Sequence, residues 1–153
     1  MLAPDQPVDP SVFDLPHEQR MPEWAWAMSS ALDDRMGLQI AELTAQRCVG
    51  RYPVEGNTQP FGLWHGGASG VVIETLASFA ANAYGREFGK GAVGVDLTAT
   101  HHRSVRHGHV TGYATPLHLG RSLVTYQVHL YDDRRRLIGS GRLTCHLINI
   151  TED

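Results

Sequence analysis

The sequence predicts an α+β chain in which a curved antiparallel sheet wraps one long apolar helix, and three observations predict it. A proline-free run rich in Ala and Leu follows His65-Gly66-Gly67 and reaches Gly85, which has helical length and a glycine where a C-cap glycine belongs. That run is apolar almost all round, as expected of a helix enclosed by other structure. Four strand-like runs then follow, at 92–103, 110–119, 122–131 and 137–148, separated by turn formers. Together these read as strands, one buried helix and an antiparallel meander.

Taken in order, residues 1–20 carry Pro4, Pro7, Pro10 and Pro16 among acidic and polar neighbours, and read as a mobile or surface-laid arm. Pro22 opens a short helix over 22–34, with Trp24, Trp26 and Met28 to pack and Gly37 beyond its end. Its tryptophans are expected to cover structure, lining a ligand cleft being the other option. The arm and this helix make up 1–36, and the main domain 37–153. Residues 38–54 read as β structure with a turn at Thr44–Gln46, and Glu55-Gly56-Asn57-Thr58 as loop. In 122–131, Leu123, Thr125, Gln127, His129 and Tyr131 alternate with Val124, Tyr126, Val128 and Leu130. The separators Arg106-His107-Gly108, Leu119-Gly120-Arg121 and 132–136 read as hairpin turns.

Composition narrows the function classes. At 153 residues, 42% hydrophobic and 19% charged, the chain is an ordinary globular domain with a sizeable core. A net charge of −3 gives no support for nucleic-acid or anionic-membrane binding. No apolar run reaches transmembrane length, the N-terminus lacks signal-peptide character, and a cytoplasmic protein is expected. Cys48 and Cys145 fall on strand segments and read as core residues, not a disulfide or a metal site.

The central helix carries the chemistry. Glu74 is a carboxylate in an apolar run, where charge is costly unless paired, hydrated or used. Ser78 lies one turn on, over the same face, and Gly66 and Gly67 lie two turns back. There the first helical N–H groups are unpaired and the dipole is positive, so an anion or a carbonyl oxygen can bind. The competing reading is that Glu74, Ser78 and Asn82, at i, i+4 and i+8, are a solvent-facing polar stripe.

The second notable stretch runs from His101 to His109. Strand alternation separates its neighbouring histidines and no cysteine or carboxylate pair completes a tetrahedral set, so zinc is disfavoured. Arg103 and Arg106 with Ser104 suit phosphate oxygens, and solvated strand-end charges are the plainer alternative. Pro116-Leu117-His118-Leu119-Gly120-Arg121 repeats that chemistry at the next turn. Gly67-Ala68-Ser69-Gly70-Val71 begins like a nucleophile elbow but has Val71 where its last glycine belongs, and Ser69 is rejected as a nucleophile.

Gln59-Pro60-Phe61-Gly62-Leu63, His65-Gly66-Gly67-Ala68-Ser69, Glu74, His101-x-Arg103-Ser104 and Pro116 to Gly120 together resemble the hotdog-fold acyl-CoA thioesterases. The branch resembled contains 4-hydroxybenzoyl-CoA thioesterase and the phenylacetate-pathway enzymes. Within it, the chain is most similar to the 1,4-dihydroxy-2-naphthoyl-CoA thioesterases of menaquinone biosynthesis and to the enterobactin proofreading thioesterases. The resemblance implies a five- or six-stranded sheet around the helix, and homodimers or homotetramers with active sites at the subunit interface. It implies no cofactor beyond the coenzyme A of the substrate. By the same likeness Glu74 is the catalytic carboxylate and the Gly66 N–H polarises the thioester oxygen. Gln59 and His65 position the acyl carbonyl or water, and Ser78 holds Glu74. Gly94, His101, Arg103, Ser104, His118, Gly120 and Arg121 line the coenzyme A path; His102 has no expected role. Glutamate at 74 favours the hydroxybenzoyl and naphthoyl type. The alternatives are proofreading of groups on a carrier protein, medium-chain acyl-CoA hydrolysis, or acyl-CoA binding without catalysis.

Overall fold

The computed structural model describes residues 6–28 and 30–150; Pro4 of the expected arm and the last residues of the expected 37–153 domain lie outside these. Six strands form one sheet: β1 (Gln39–Leu43), β2 (Cys48–Pro53), β3 (Lys90–His101), β4 (His109–Leu119), β5 (Leu123–Tyr131) and β6 (Leu137–Asn149). Their order is β1-β2-β4-β5-β6-β3, every pair antiparallel. The helix α3 (Gly66–Arg86) packs on the sheet, against the predominantly apolar inward face of the strands. This is the α+β arrangement the sequence predicts. In β5, Val124, Tyr126, Val128 and Leu130 are fully buried while their alternating neighbours face outward. From α3, Val72, Ile73, Leu76, Ala77, Ala80 and Ala81 meet them at 0% exposure. Cys48 and Cys145 are both free and fully buried. No helix among the described residues is long and apolar enough to cross a membrane.

The structure corrects the sequence reading at four places. The first is the connection from β3 to β4, which is a crossover and not a hairpin. β3 pairs with β6 at the sheet edge, while β4 lies between β2 and β5, so only β4-β5-β6 is a meander. Gly108 does turn the chain, at φ +80°. The preceding residues cross the sheet end because Val105 is buried, with its carbonyl accepting from Trp64 N at 2.8 Å. The second is the end of β3. Past His101 the N–H groups of His102 and Arg103 both donate to Ile138 O, at 2.8 and 3.1 Å, so strand alternation stops there.

The third correction concerns Gly85. It lies inside α3, where an added Cβ would stand 2.8 Å from Lys90 O. It is a close-approach glycine, and the left-handed turn falls later, at Gly89 with φ +68°. The fourth is the expected helix over 22–34. It divides into a 3-10 turn, Glu23–Ala25, and α2 (Ala31–Met36). Ser30 is the reason for the break, since it is extended and its hydroxyl caps Asp33 N at 3.3 Å. Gly37 ends α2 in the left-handed region, at φ 83°.

Before α2 the chain contains a 3-10 turn, Pro10–Asp14, and α1 (His17–Arg20). This arm is laid on the outer face of β1, β2 and β4. Phe13 is buried with Ala41, Val49 and Tyr113, and the Arg51 guanidinium lies 4.0 Å from its ring centroid. Arg47 and Arg20 fasten it further through the carbonyls of Gln6 and Ile40. Trp24 packs against the core with Arg86 over its ring at 4.7 Å, so it covers structure as expected, whereas Trp26 and Met28 are exposed, the Trp26 indole donating to Met21 O at 2.9 Å.

Candidate active site

The N-terminus of α3 is built by the loop before it. Asn57 donates from its side-chain amide to Met36 O (2.7 Å) and Pro53 O (2.8 Å), and its backbone carbonyl accepts from His65 N at 3.0 Å. His65, held in this way, is the N-cap, and its Nδ1 accepts from Gly67 N at 2.8 Å. Trp64 donates from its indole to the buried Ser69 hydroxyl at 2.8 Å, which gives Ser69 a structural role. Asn57 was read in the sequence only as part of a loop; an Asn among turn formers carries no local signal that it braces a helix cap.

A cleft of about 370 Å³ opens at this end, lined among others by Gln59, Gly66, His101, Arg103 and Ser104. Five of the expected site residues therefore meet in one chain. The Gln59 side-chain Oε1 accepts from Phe61 N, and its backbone carbonyl from Gly62 N at 2.9 Å, which closes the turn that holds this side chain. The His101 ring lies over Gly66, where an added Cβ would stand 2.9 Å from Nε2. Gly66 begins α3, so its N–H has no partner within the helix. His102 sits at the same cleft, with Nε2 2.9 Å from the Ser140 hydroxyl. A larger groove of about 490 Å³ adjoins through Ser104 and carries Arg106, Arg134 and Arg136 beside Asp132 and Asp133.

Glu74 is half-buried and faces β3, about 12 Å along the helix axis from Gly66 at the rise of an α-helix. Its Oε1 lies where a Cβ on Gly94 would come within 2.5 Å. Asn82, further along this face, accepts from Ala92 N at 3.0 Å and donates to Ala92 O. Burial, and then the charge on Glu74, push the Cys145 thiol up to about 11, with Ser78 acting against them. Glu74 and Asn82 line the α3–β3 seam, half-buried, and are not a solvent-facing stripe.

The remaining expected residues lie elsewhere. His118, Gly120 and Arg121 sit at the β4–β5 turn by the other end of α3. There Tyr84 OH donates to Gly120 O at 3.4 Å and Lys90 Nζ to Arg121 O at 3.2 Å. Tyr84 is about 27 Å along the helix axis from Gly66. One chain therefore does not join this turn to the cleft, nor the Gly66 N–H to the Glu74 carboxylate. Among the described residues no group of three or more His, Cys, Asp or Glu could hold a metal ion.

The sequence profile of the thioesterase superfamily matches residues 61–138, the span from the cleft turn through α3 to the start of β6. This chain belongs to the thioesterase superfamily. The thioesterase is 41% identical to the Bacillus subtilis protein ComA2 over 79% of this chain and 97% of that one. It is 39% identical to the proofreading thioesterase EntH of Cronobacter turicensis, over 74% of this chain and 82% of that one. Its fold matches the crystal structure of thioesterase HI1161 from Haemophilus influenzae with a TM-score of 0.75 and 36% identity, covering 81% and 87% of the two chains. Its fold is the hotdog fold, and its reaction is thioester hydrolysis. That chemistry suits the groups present, because a thiolate leaves without strong acid assistance. What it needs is a carboxylate at the carbonyl carbon and N–H donors aimed at the developing oxyanion.

Proposed function

We propose that this thioesterase hydrolyses an aromatic acyl-CoA to free acid and coenzyme A, at sites shared between two copies of the chain. The observation that carries the shared site is the axial separation of about 12 Å between Gly66 and Glu74. A carbonyl carbon attacked by Glu74, or by water that Glu74 activates, stands about 3 Å from its nucleophile. Its oxygen must at the same time be within hydrogen-bond reach of the oxyanion donor. One helix cannot meet both conditions, whereas helices from two subunits can. The exposed edge strand β3, next to Glu74, supports the same arrangement, since an unpaired edge is a ready partner for a second copy.

In this reading the Gly66 N–H of one protomer polarises the thioester oxygen, with Gln59 and His65 orienting the carbonyl or the water. Glu74 of the other protomer supplies the carboxylate, oriented by Ser78. The tetrahedral intermediate collapses with release of the coenzyme A thiolate. Arg103, Ser104 and His101 take the pantetheine and phosphate end as it leaves the cleft, and the arginines of the adjoining groove lie further along that course. Gly94, His118, Gly120 and Arg121 complete that path from the partner. An aromatic acyl group, of hydroxybenzoyl or dihydroxynaphthoyl type, follows the resemblance of the motif set with glutamate at 74.

A second reading, removal of wrongly loaded groups from a carrier protein, is favoured by the likeness to EntH. Thiol release from aryl-CoA, alkyl-CoA and carrier-bound aryl thioesters tests both. Higher kcat/KM on aryl-CoA is expected, a preference for the carrier would turn the assignment to proofreading, and a preference for alkyl-CoA would remove the aromatic substrate.

A further inference from the structure

Asp33 is a carboxylate with 6% of its surface exposed, in a helix the catalytic reading does not use. Its Oδ1 accepts two hydroxyl hydrogen bonds, from Tyr52 at 2.6 Å and from Thr75 at 2.9 Å. Tyr52 comes from β2 beneath the core and is fully buried; Thr75 comes from α3 and is the residue next to Glu74. Asp33 is itself held by its own helix. Its N–H donates to Ser30 Oγ at 3.3 Å, and its carbonyl accepts from Gly37 N at 2.9 Å and Leu38 N at 3.1 Å. One oxygen thus ties α2, β2 and α3 together. Burial and the Asp33 bond push the Tyr52 phenol far above its usual range, so Tyr52 stays a donor to this oxygen.

The two bonds differ in what they can control. The Tyr52 bond joins Asp33 to a strand already fixed by its ladder. The Thr75 bond acts on α3 at the turn that carries Glu74. Side-chain hydrogen bonds hold α3 at Ser69, Thr75 and Asn82, to Trp64, Asp33 and Ala92, and of these the Thr75 bond is the one adjacent to Glu74. We propose that Asp33 and Thr75 are positioning residues that fix the rotation of α3 and so aim the Glu74 carboxylate. The inference rests on Glu74 being the catalytic group.

The test compares two variants that each remove one hydroxyl from the same oxygen, Thr75→Val and Tyr52→Phe. Both are expected to lower Tm to a similar extent, because each leaves Asp33 with one donor fewer. A displacement of order 1 Å at a reacting group costs up to about 10²-fold in rate, so Thr75→Val should lose about 10-fold or more in kcat with KM changed less than about threefold. Tyr52→Phe should keep kcat, and Thr75→Ser, which retains the hydroxyl, should restore it. Equal kcat in the Val and Phe variants, whether both intact or both reduced, would reduce the cluster to a stabilising contact and overturn the proposal. Glu74→Gln is measured alongside. If it is active, the catalytic reading itself fails; if it is inactive while Thr75→Val keeps wild-type kcat, only the positioning inference fails.

Discussion

Glu74 and Gly94 are in close contact: a Cβ added at residue 94 would stand 2.5 Å from Glu74 Oε1, so the carboxylate would have to shift to admit it. Gly94 has no positive φ, so this requirement comes from packing and not from backbone conformation. It sits beside a register shift in the β3–β6 pairing, between Gly94 and Asp96. By resemblance Gly94 belonged to the coenzyme A path; in the chain it bounds the carboxylate.

Gly94→Ala is therefore expected to move the carboxylate while leaving the fold intact. The loss should appear in kcat, at about 10-fold to 10²-fold for a displacement of order 1 Å, with a much smaller change in KM. Steady-state thiol release with a parallel melting curve checks this. A variant with normal kcat and raised KM would return Gly94 to a purely substrate-binding role.

The shared site makes a prediction about mixtures. Glu74→Gln loses the carboxylate, and Gly66→Val drives a side chain into the His101 ring, which stands 2.9 Å from an added Cβ. If each site takes Gly66 from one protomer and Glu74 from the other, subunit exchange between the two inactive proteins creates one intact site per mixed dimer. Activity should then appear on mixing. No recovery, despite exchange verified by mass, would overturn the shared site. Sedimentation at assay concentration should meanwhile show at least a dimer, and Val95→Lys on the exposed β3 should weaken it.

The sequence made these strands and their inward faces readable because apolar alternation is a local property, as in Val124 to Leu130. The start of α3 at Gly66 was readable for a similar reason, since His-Gly-Gly precedes an uninterrupted apolar run, but the capping role of His65 was not. Connectivity was not. The β3–β4 crossover depends on Val105 being buried beneath a turn whose residues equally suit a hairpin. Nor could the sequence show that Asn82 faces Ala92 or that Asp33 reaches Thr75, because both contacts join residues brought together only by the sheet. The distance between Gly66 and Glu74 was legible as two helical turns; its consequence for a shared site needed the sheet edge beside it.

The arm yields a prediction about stability alone. Phe13 is 6% exposed and carries the Arg51 guanidinium over its ring. Burying such a side chain stabilises by about 1.5–3 kcal/mol, so Phe13→Ala should lose roughly that amount. For a chain of this size each kcal/mol lowers Tm by about 2–4 °C. Since the arm covers the outer face of the sheet and α3 packs on the inner one, kcat should not change. A thermal scan and one activity measurement decide it; unchanged Tm would mean the arm contributes no stability in solution.

The basic residues separate by substrate. Arg103 lines the cleft, whereas Arg121 lies at the turn near the other end of α3. Charge-assisted hydrogen bonds of the expected kind contribute about 1.5–3 kcal/mol, or roughly 10- to 150-fold. Alanine at either position should raise KM for an acyl-CoA by about this factor and leave KM for the matching pantetheine thioester unchanged. An effect of Arg103→Ala alone would confine the nucleotide to one protomer.

Glu74→Gln carries the chemical assignment. The amide keeps the size and hydrogen bonding of the side chain and removes the charge that attacks carbon or takes a proton from water. A fall in kcat of at least about 10²-fold with little change in KM is expected, the mark of an interaction made in the transition state. Ser78→Ala should cost less, because that hydroxyl would act on catalysis only by orienting the carboxylate. A single turnover in heavy-oxygen water then separates two routes. If Glu74 attacks the carbonyl, a mixed anhydride forms with loss of the thiolate. Water attack at the Glu74 carboxyl carbon leaves label in the protein, and attack at the acyl carbon leaves it in the released acid. Label found in Glu74 therefore establishes the anhydride. Label confined to the product, with no anhydride trapped by hydroxylamine, assigns Glu74 as the base that activates water. Near-normal turnover by Glu74→Gln would remove the residue from the chemistry on either route, and its place against Gly94 would then be a matter of packing alone.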